Sequence, residues 1–509
     1  MPKKSQQVQN PIDSWRRAAS GQKRAATPEP DQKKLAELKD FHQSEGNWGG
    51  PLCPSTAEMR MLVDVFLATP NPNFPGLGSS IPGTSMSWSS PDCGTLAYAA
   101  GLQNVENNKQ LTPATLMGIA SMTKAIIAAI TLKLNEKGAF GESGLDTPVN
   151  QLLSDDQMIA LTVGDDPLQP RCPGVTFLFN RETLNFELTS FGCPDLSRIT
   201  LRDLMRSNHG MYDFLTEVFL PDGNWQWDES VFFDLYELLG LDPIPPVNSD
   251  KGFDYMKAYG LKTTNTAAIG GNSARDFEIS LGNTGFQLLG IIIENRTGKS
   301  LDDLVQTLIV KPLGIDPILR HVNSNIKATQ IADNYDIYTG EPLIEQTGVY
   351  PVVNLNGHTA VNTRSLGLGI PGNINLAGGA GSLIANPKSY RVFLDALVNG
   401  GLLDRNAQQE FDESFVLIPD LSSPGFSVLN GFGIIKFELR GFPGLGDLDI
   451  YQHAGALPGI LCEDAVVRAP GSQQVLATGV ICQNSNANAY PHQSDLLLQF
   501  INKFIEARG

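Results

Sequence analysis

The stretch Ala120–Gly138, ASMTKAIIAAITLKLNEKG, decides how this chain is read. Ile126, Ile127, Ile130, Leu132 and Leu134 make a run that is apolar on most faces, and Gly138 supplies a stop, so the stretch predicts a buried helix. Ser121 and Lys124 stand at its mouth, at positions i and i+3, which share one helix face. A serine hydroxyl is a poor nucleophile at its own pKa, but an amine held beside it and partly desolvated can take its proton. The unpaired N–H groups of a first helical turn can stabilise the oxyanion that results. These residue types at this spacing point to acyl transfer through a covalent serine intermediate.

Spacing alone is a weak signal, because Ser20–Lys23 and Ser324–Lys327 also satisfy S-x-x-K. Ser20 lies in a polar tail and Ser324 follows an irregular Asn/His stretch. Only Ser121 opens an apolar run able to fix it.

The 509 residues can bury a large core. Formal net charge is −17, which argues against nucleic acid or an anionic membrane as partner and leaves small neutral or cationic substrates open. No apolar run approaches the roughly 18 residues that span a bilayer. Residues 1–45 are expected to form a polar, disordered tail; within residues 1–40, nine Lys/Arg face five Asp/Glu. The charged start Met1-Pro2-Lys3-Lys4 is not followed by an apolar segment, so a cytoplasmic location is expected unless a leader has been removed. Six cysteines are too thinly spread for a disulfide scaffold. Cys172/Cys193 and Cys462/Cys482 each bracket a hairpin-like stretch, which leaves open local pairing or buried free thiols. No C-x-x-C and no His pair at ligand spacing appears, so no metal is expected.

Along the chain, Thr56–Ala68 reads as an amphipathic helix and Thr84–Ala100 as a hairpin. The middle is mostly helical pattern, including Leu201–Ser207 and Gly285–Arg296, with a hairpin-like stretch at Gly174–Phe191. Asn354–Gly381, rich in Gly and Asn, reads as loop. The last third supplies strands at Gly431–Leu439, Asp449–His453, Ile460–Val467 and Gln474–Cys482, then a helix at Ser494–Ala507. Strands at both ends around a helical middle predict an α/β fold. One antiparallel sheet is built from the two termini and flanked by helices, with an inserted all-α lobe and a cleft between the lobes. The domain is expected over residues 46–509, with the α/β lobe at about 50–140 and 330–509 and the helical lobe at about 140–330.

Five segments in this order resemble the penicillin-recognising serine hydrolases, the group of class C-like β-lactamases, D,D-peptidases, family VIII carboxylesterases and related acyltransferases. Leu96–Lys124 is similar to that family's strand, loop and nucleophile helix. Ile199–Phe214 (ITLRDLMRSNHGMYDF) and Leu281–Glu294 (LGNTGFQLLGIIIE) are similar to its middle segments, Ala377–Asn386 to its late loop, and His453–Gly459 (HAGALPG) to its third motif. The resemblance implies Ser121 as nucleophile, Lys124 as proton acceptor and Asn283 as a contact to the acyl side. It places His453 where β-lactamases carry a lysine. With Gly455 beside it, Ala456 would share the oxyanion hole with the Ser121 N–H. No cofactor and a small-molecule acyl substrate follow from the same resemblance.

One departure stands out: the family's Tyr-x-Asn reads Leu281-Gly282-Asn283. Either Lys124 works alone, or another hydroxyl such as Tyr212 reaches in, or the enzyme is crippled. His453 cannot give a β-lactam carboxylate the fixed positive charge of a lysine at neutral pH, so esterase or acyltransferase is favoured over β-lactamase. The competing expectation is a binding or scaffold protein of the same fold that lost its relay at Leu281. His358-Thr359-Ala360 imitates the third motif without a strand pattern around it. Gly367–Gly372 spells G-x-G-x-x-G, but no strand leads into it and Pro371 lacks an N–H for a phosphate.

Overall fold

The computed structural model describes residues 52–70, 76–155, 174–180, 185–191, 196–209, 282–320, 330–337, 352–362, 378–419, 422–442, 446–457, 459–472, 475–485 and 493–507, with isolated positions such as Trp48 and Met211. Much of 159–281, where the sequence places the helical lobe, lies outside the described residues, as do Ser20, Ser324 and the Gly367–Gly372 motif.

A ten-stranded antiparallel sheet organises the rest. Its strands are β1 (Gly83–Ser90), β2 (Gly94–Asn104), β3 (Lys109–Gln110), β4 (Val416–Leu417), β5 (Phe426–Asn430), β6 (Ile435–Phe442), β7 (Gly446–Gln452), β8 (Ala454–Leu457), β9 (Ile460–Arg468) and β10 (Val475–Gln483). They run in the order β4-β5-β6-β7-β9-β10-β1-β2-β3, with β8 also paired to β9. The N-terminal hairpin and the C-terminal strands therefore share one sheet, joined where Thr84 faces Gln483 and Ser89 faces Thr478. Both edges of the sheet are two-residue strands, which offer little open ladder to another chain.

The alternation in β1, GTSMSWSS, sets the layers. Met86 and Trp88 point to one face, where Trp88 meets Phe500 and Phe504 of the C-terminal helix Gln493–Glu506 at ring-centroid distances of 5.7 and 6.2 Å. The intervening serines point to the other face and are small enough to admit the helix Pro387–Val398. There Arg391 Nε donates to Ser87 Oγ at 2.9 Å, and Ser89 Oγ donates to Asp395 at 3.3 Å. Numbered in chain order, the helices used below are α1 (Thr56–Ala68), α2 (Thr123–Glu136), α3 (Leu201–Met205), α4 (Asn283–Thr297), α5 (Pro387–Val398) and α6 (Gln493–Glu506). α1 begins with a capping box in which Ser55 and Glu58 exchange hydrogen bonds. It packs beside α6 on the Trp88 face.

One reading of the sequence needs correction. His358–Asn362 is a strand, paired to Val352–Leu355 and to Tyr335–Ile337 in a small separate sheet. Its Asn/His composition masked the strand, and the His358 ring is committed to Gly78 O at 2.9 Å. Cys462 and Cys482 face each other across β9 and β10 as buried free thiols. The bond that is present joins Cys53 to Cys93, 40 residues apart, tying the lead-in to α1 to the β1–β2 turn. Cys172 and Cys193 lie outside the described residues. On the chain-entropy account, a 40-residue loop closed in this way contributes about 2–4 kcal/mol. Cys53→Ser, Cys93→Ser or treatment with a reductant should lower the unfolding free energy by that amount, read as a drop in the denaturant midpoint, and an unchanged midpoint would show that the bond is not formed.

Candidate active site

Ser121 sits in a single 3-10 turn, Ala120–Met122, two residues before α2 begins at Thr123. Ala120 holds φ at +42°, a left-handed value that costs a non-glycine residue on the order of 1 kcal/mol, so the surroundings must impose it. They do so from several sides. Ile119 N donates to Leu383 O at 3.1 Å, and Met122 N donates to Ile119 O at 3.0 Å. Met117–Gly118 pairs with the strand Leu383–Ala385. Ser121 does not cap a helix with its side chain.

The Ser121 hydroxyl instead meets Lys124, whose Nζ lies 2.7 Å from Ser121 Oγ. Lys124 is 2 % exposed, because α2 is buried on nearly every face as its isoleucine run requires. Its backbone is hemmed in by Gly433, at φ +67°, where a Cβ would stand 2.8 Å from Lys124 C. A lysine and a serine so placed can exchange one proton without moving.

β8 closes the site from the sheet side. A Cβ on Gly455 would stand 2.6 Å from Ile119 O and 3.1 Å from Ala120 Cβ, so only glycine lets this strand lie against the nucleophile's turn. Gly455→Ala should push that turn out of place and slow acylation by on the order of 10²-fold, since a misplacement of about 1 Å can cost that much. Kinetics of covalent labelling would measure it; an Ala variant at the wild-type rate would mean that the contact does not position Ser121. Ala456, the neighbouring residue, is exposed.

His453 stands half-buried between β7 and β8, with Nδ1 2.5 Å from Ala454 O. Burial, and then the charge of Lys124, press its pKa down to about 3. Even a much smaller shift leaves the ring neutral at pH 7. Asn283 opens α4, is buried, and follows Gly282 in the left-handed region at φ +71°. α4 packs against both α2 and α3. Gly285 permits this contact, as a Cβ there would stand 2.7 Å from the ring of buried His209.

The structure thus brings Ser121, Lys124, Gly455 and His453 to one place, and sets α4, which carries Asn283, along α2. Tyr212 and Leu281 lie outside the described residues. Two residues absent from the sequence reading stand directly behind the site. Tyr390 Oη donates to Met122 O at 2.9 Å, and Asp464 Oδ1 accepts from His453 N at 2.7 Å. Among the described residues, no group of His, Cys, Asp and Glu is placed to hold a metal, and no helix is long and apolar enough to cross a membrane.

A family model described as Beta-lactamase matches residues 85–460. No curated protein matches the chain. Among solved structures, the chain is similar to the D-amino acid amidase from Ochrobactrum anthropi SV3 complexed with L-phenylalanine amide, at 19 % identity and a TM-score of 0.57, covering 89 % of this chain and 98 % of that one. The penicillin binding protein from Bacillus halodurans is similar at 16 % identity and a TM-score of 0.54, covering 88 % and 99 %. EstCE1, described as a hydrolase with promiscuous acyltransferase activity, is similar at 14 % identity and a TM-score of 0.55, covering 90 % and 99 %. At these identities the likeness is one of fold.

Proposed function

Since the chain belongs to the beta-lactamase family, we propose that it is a serine hydrolase or acyltransferase that forms an acyl-enzyme on Ser121 from a small ester or amide. The observation that carries this reading is the 2.7 Å contact between Ser121 Oγ and a buried Lys124 Nζ. With Lys124 neutral, the hydroxyl donates its proton to Nζ as Oγ attacks the acyl carbon. The oxyanion that forms is held by the N–H groups of Ser121 and Ala456. Collapse breaks the bond to the leaving group, which takes the proton back from Lys124. Water, an alcohol or an amine then repeats the sequence on the acyl-enzyme.

His453 orients substrate and does not act as the base, because its low pKa leaves it a weak proton acceptor. Its neutral ring also lacks the fixed cation that a β-lactam carboxylate would meet, which supports ester or acyl-transfer chemistry over β-lactam hydrolysis. Asn283 contacts the acyl side. The amidase and esterase likenesses are compatible with this class and do not choose the acyl donor. The second reading, a binding or scaffold role, rests on Leu281 standing at the family's tyrosine position. A fluorophosphonate probe decides between them: stoichiometric labelling of Ser121 within minutes is expected, and an inert wild-type protein would favour the scaffold.

A further inference from the structure

The turn that joins β5 to β6, residues 431–434, touches two helices from distant parts of the chain. It is tight: Gly431 N donates to Ile434 O at 2.9 Å. Gly433 holds φ at +67°, where a side chain is strained, and a Cβ there would also stand 2.8 Å from Lys124 C and O and 3.0 Å from Ala125 N. The main chain of the turn therefore rests directly on the peptide that follows Lys124, in the first turn of α2. Toward α3, Gly433 N donates to Met205 O at 3.2 Å, and the Asn430 side chain donates to Arg206 O.

Phe432 fixes how deep this turn sits. Its ring is fully buried, and its N–H donates to Ser414 Oγ at 3.2 Å. Arg202 and Arg206, one helical turn apart at the end of α3, both lie over that ring, with their guanidinium carbons 6.0 and 5.5 Å from its centre. Two like charges at that spacing repel, so their convergence needs compensation. Arg202 has it in Asp146 at 2.7 Å and Glu410 at 3.0 Å, and Arg206 Nε donates to Ser414 O at 2.9 Å. The negative face of the ring adds to it. We propose that Phe432 is a positioning residue: with Arg202 and Arg206 over its ring, it holds Gly433 against the Lys124–Ala125 peptide and so sets where Lys124 Nζ stands relative to Ser121 Oγ.

The effect travels through main chain. Gly433 has no side chain to yield, and α2 is buried on nearly every face, so its first turn shifts when the turn that supports it shifts. Removing the Phe432 ring leaves a cavity into which residues 431–434 can settle, and Gly433 then withdraws from Lys124.

The inference rests on the acyl-enzyme reading, and its test separates the two. The full-length chain and the variants Phe432→Ala, Phe432→Leu, Arg206→Met and Arg206→Lys are labelled with a fluorophosphonate at a temperature where circular dichroism shows them folded. The rate at saturating probe is read apart from the half-saturating concentration. Phe432→Ala should slow the saturating rate at least about tenfold, since a displacement of about 1 Å can cost on the order of 10²-fold. Phe432→Leu and Arg206→Met should slow it by about threefold or more, and Arg206→Lys, which keeps a cation for the ring, should stay within about twofold. The half-saturating concentration should change by less than about threefold, because Lys124 moves a proton and does not hold the probe. In a Lys124→Met background, read as residual labelling over hours, Phe432→Ala should add less than about twofold, because a residue that acts through the amine has nothing left to position. Should Phe432→Ala not fold, Phe432→Leu carries the same comparison. Phe432 variants at the wild-type rate would overturn the proposal. So would a slowing that persists undiminished in the Lys124→Met background, or a loss that appears as weaker probe binding. A wild type that labels while its Phe432 variants keep the same rate sinks this proposal alone, whereas an inert wild type removes the acyl-enzyme reading as well.

Discussion

Ser121→Ala removes covalent labelling and lowers kcat/KM for an activated ester by on the order of 10³ or more while the fold survives. The size of the loss follows from the chemistry: without Oγ no acyl-enzyme forms, and whatever turnover remains comes from binding and the oxyanion donors alone. The stability cost is small because Ser121 caps no helix with its side chain. Near-wild-type ester turnover in the alanine variant would remove the nucleophile assignment, and an unfolded variant would be seen in its circular dichroism.

Lys124→Met is expected to lose acylation as severely. Methionine fills most of the space of the buried stem and cannot take a proton, so the variant separates packing from proton transfer. With leucine at position 281, the amine is the main proton acceptor the sequence offers. Combining Lys124→Met with Ser121→Ala should cost no more than either change alone, because residues that act as one unit are not additive. A rate for Lys124→Met within tenfold of wild type would show that another group takes the serine proton.

The features that were legible in the sequence are those carried by local periodicity. The Ile126, Ile127 and Ile130 run announced α2, and the alternation in β1 announced the hairpin, because a helix stripe and a pleat are both written within a dozen residues. The family order of the segments then placed Ser121, Lys124, Gly455 and His453 together. What remained hidden depends on register between distant strands or on a neighbour's shape. Asp464 reads as one acidic residue in a strand until His453 is set opposite it. Tyr390 reads as a core aromatic until Met122 O lies beside it. Cys53 and Cys93 carried no signal at a separation of 40 residues, whereas Cys462 and Cys482, better placed in sequence, stay reduced. The strand at His358–Asn362 escaped because its polar residues serve a small sheet with its own hydrogen bonds and little alternation.

The pairing of the N-terminal hairpin with the last strand of the sheet also sets a timetable for the newborn chain. Thr84 Oγ1 donates to Cys482 O across 398 residues, so β1 has no partner on that side until nearly the whole polypeptide has left the ribosome. At about 5–20 residues per second, the open strand waits roughly 20–80 s. During that interval its unpaired N–H and C=O groups and its exposed tryptophan are a template for pairing between nascent chains. Expression at lower temperature, or with a chaperone that covers extended segments, should therefore raise the soluble yield more than any change to the candidate active site would.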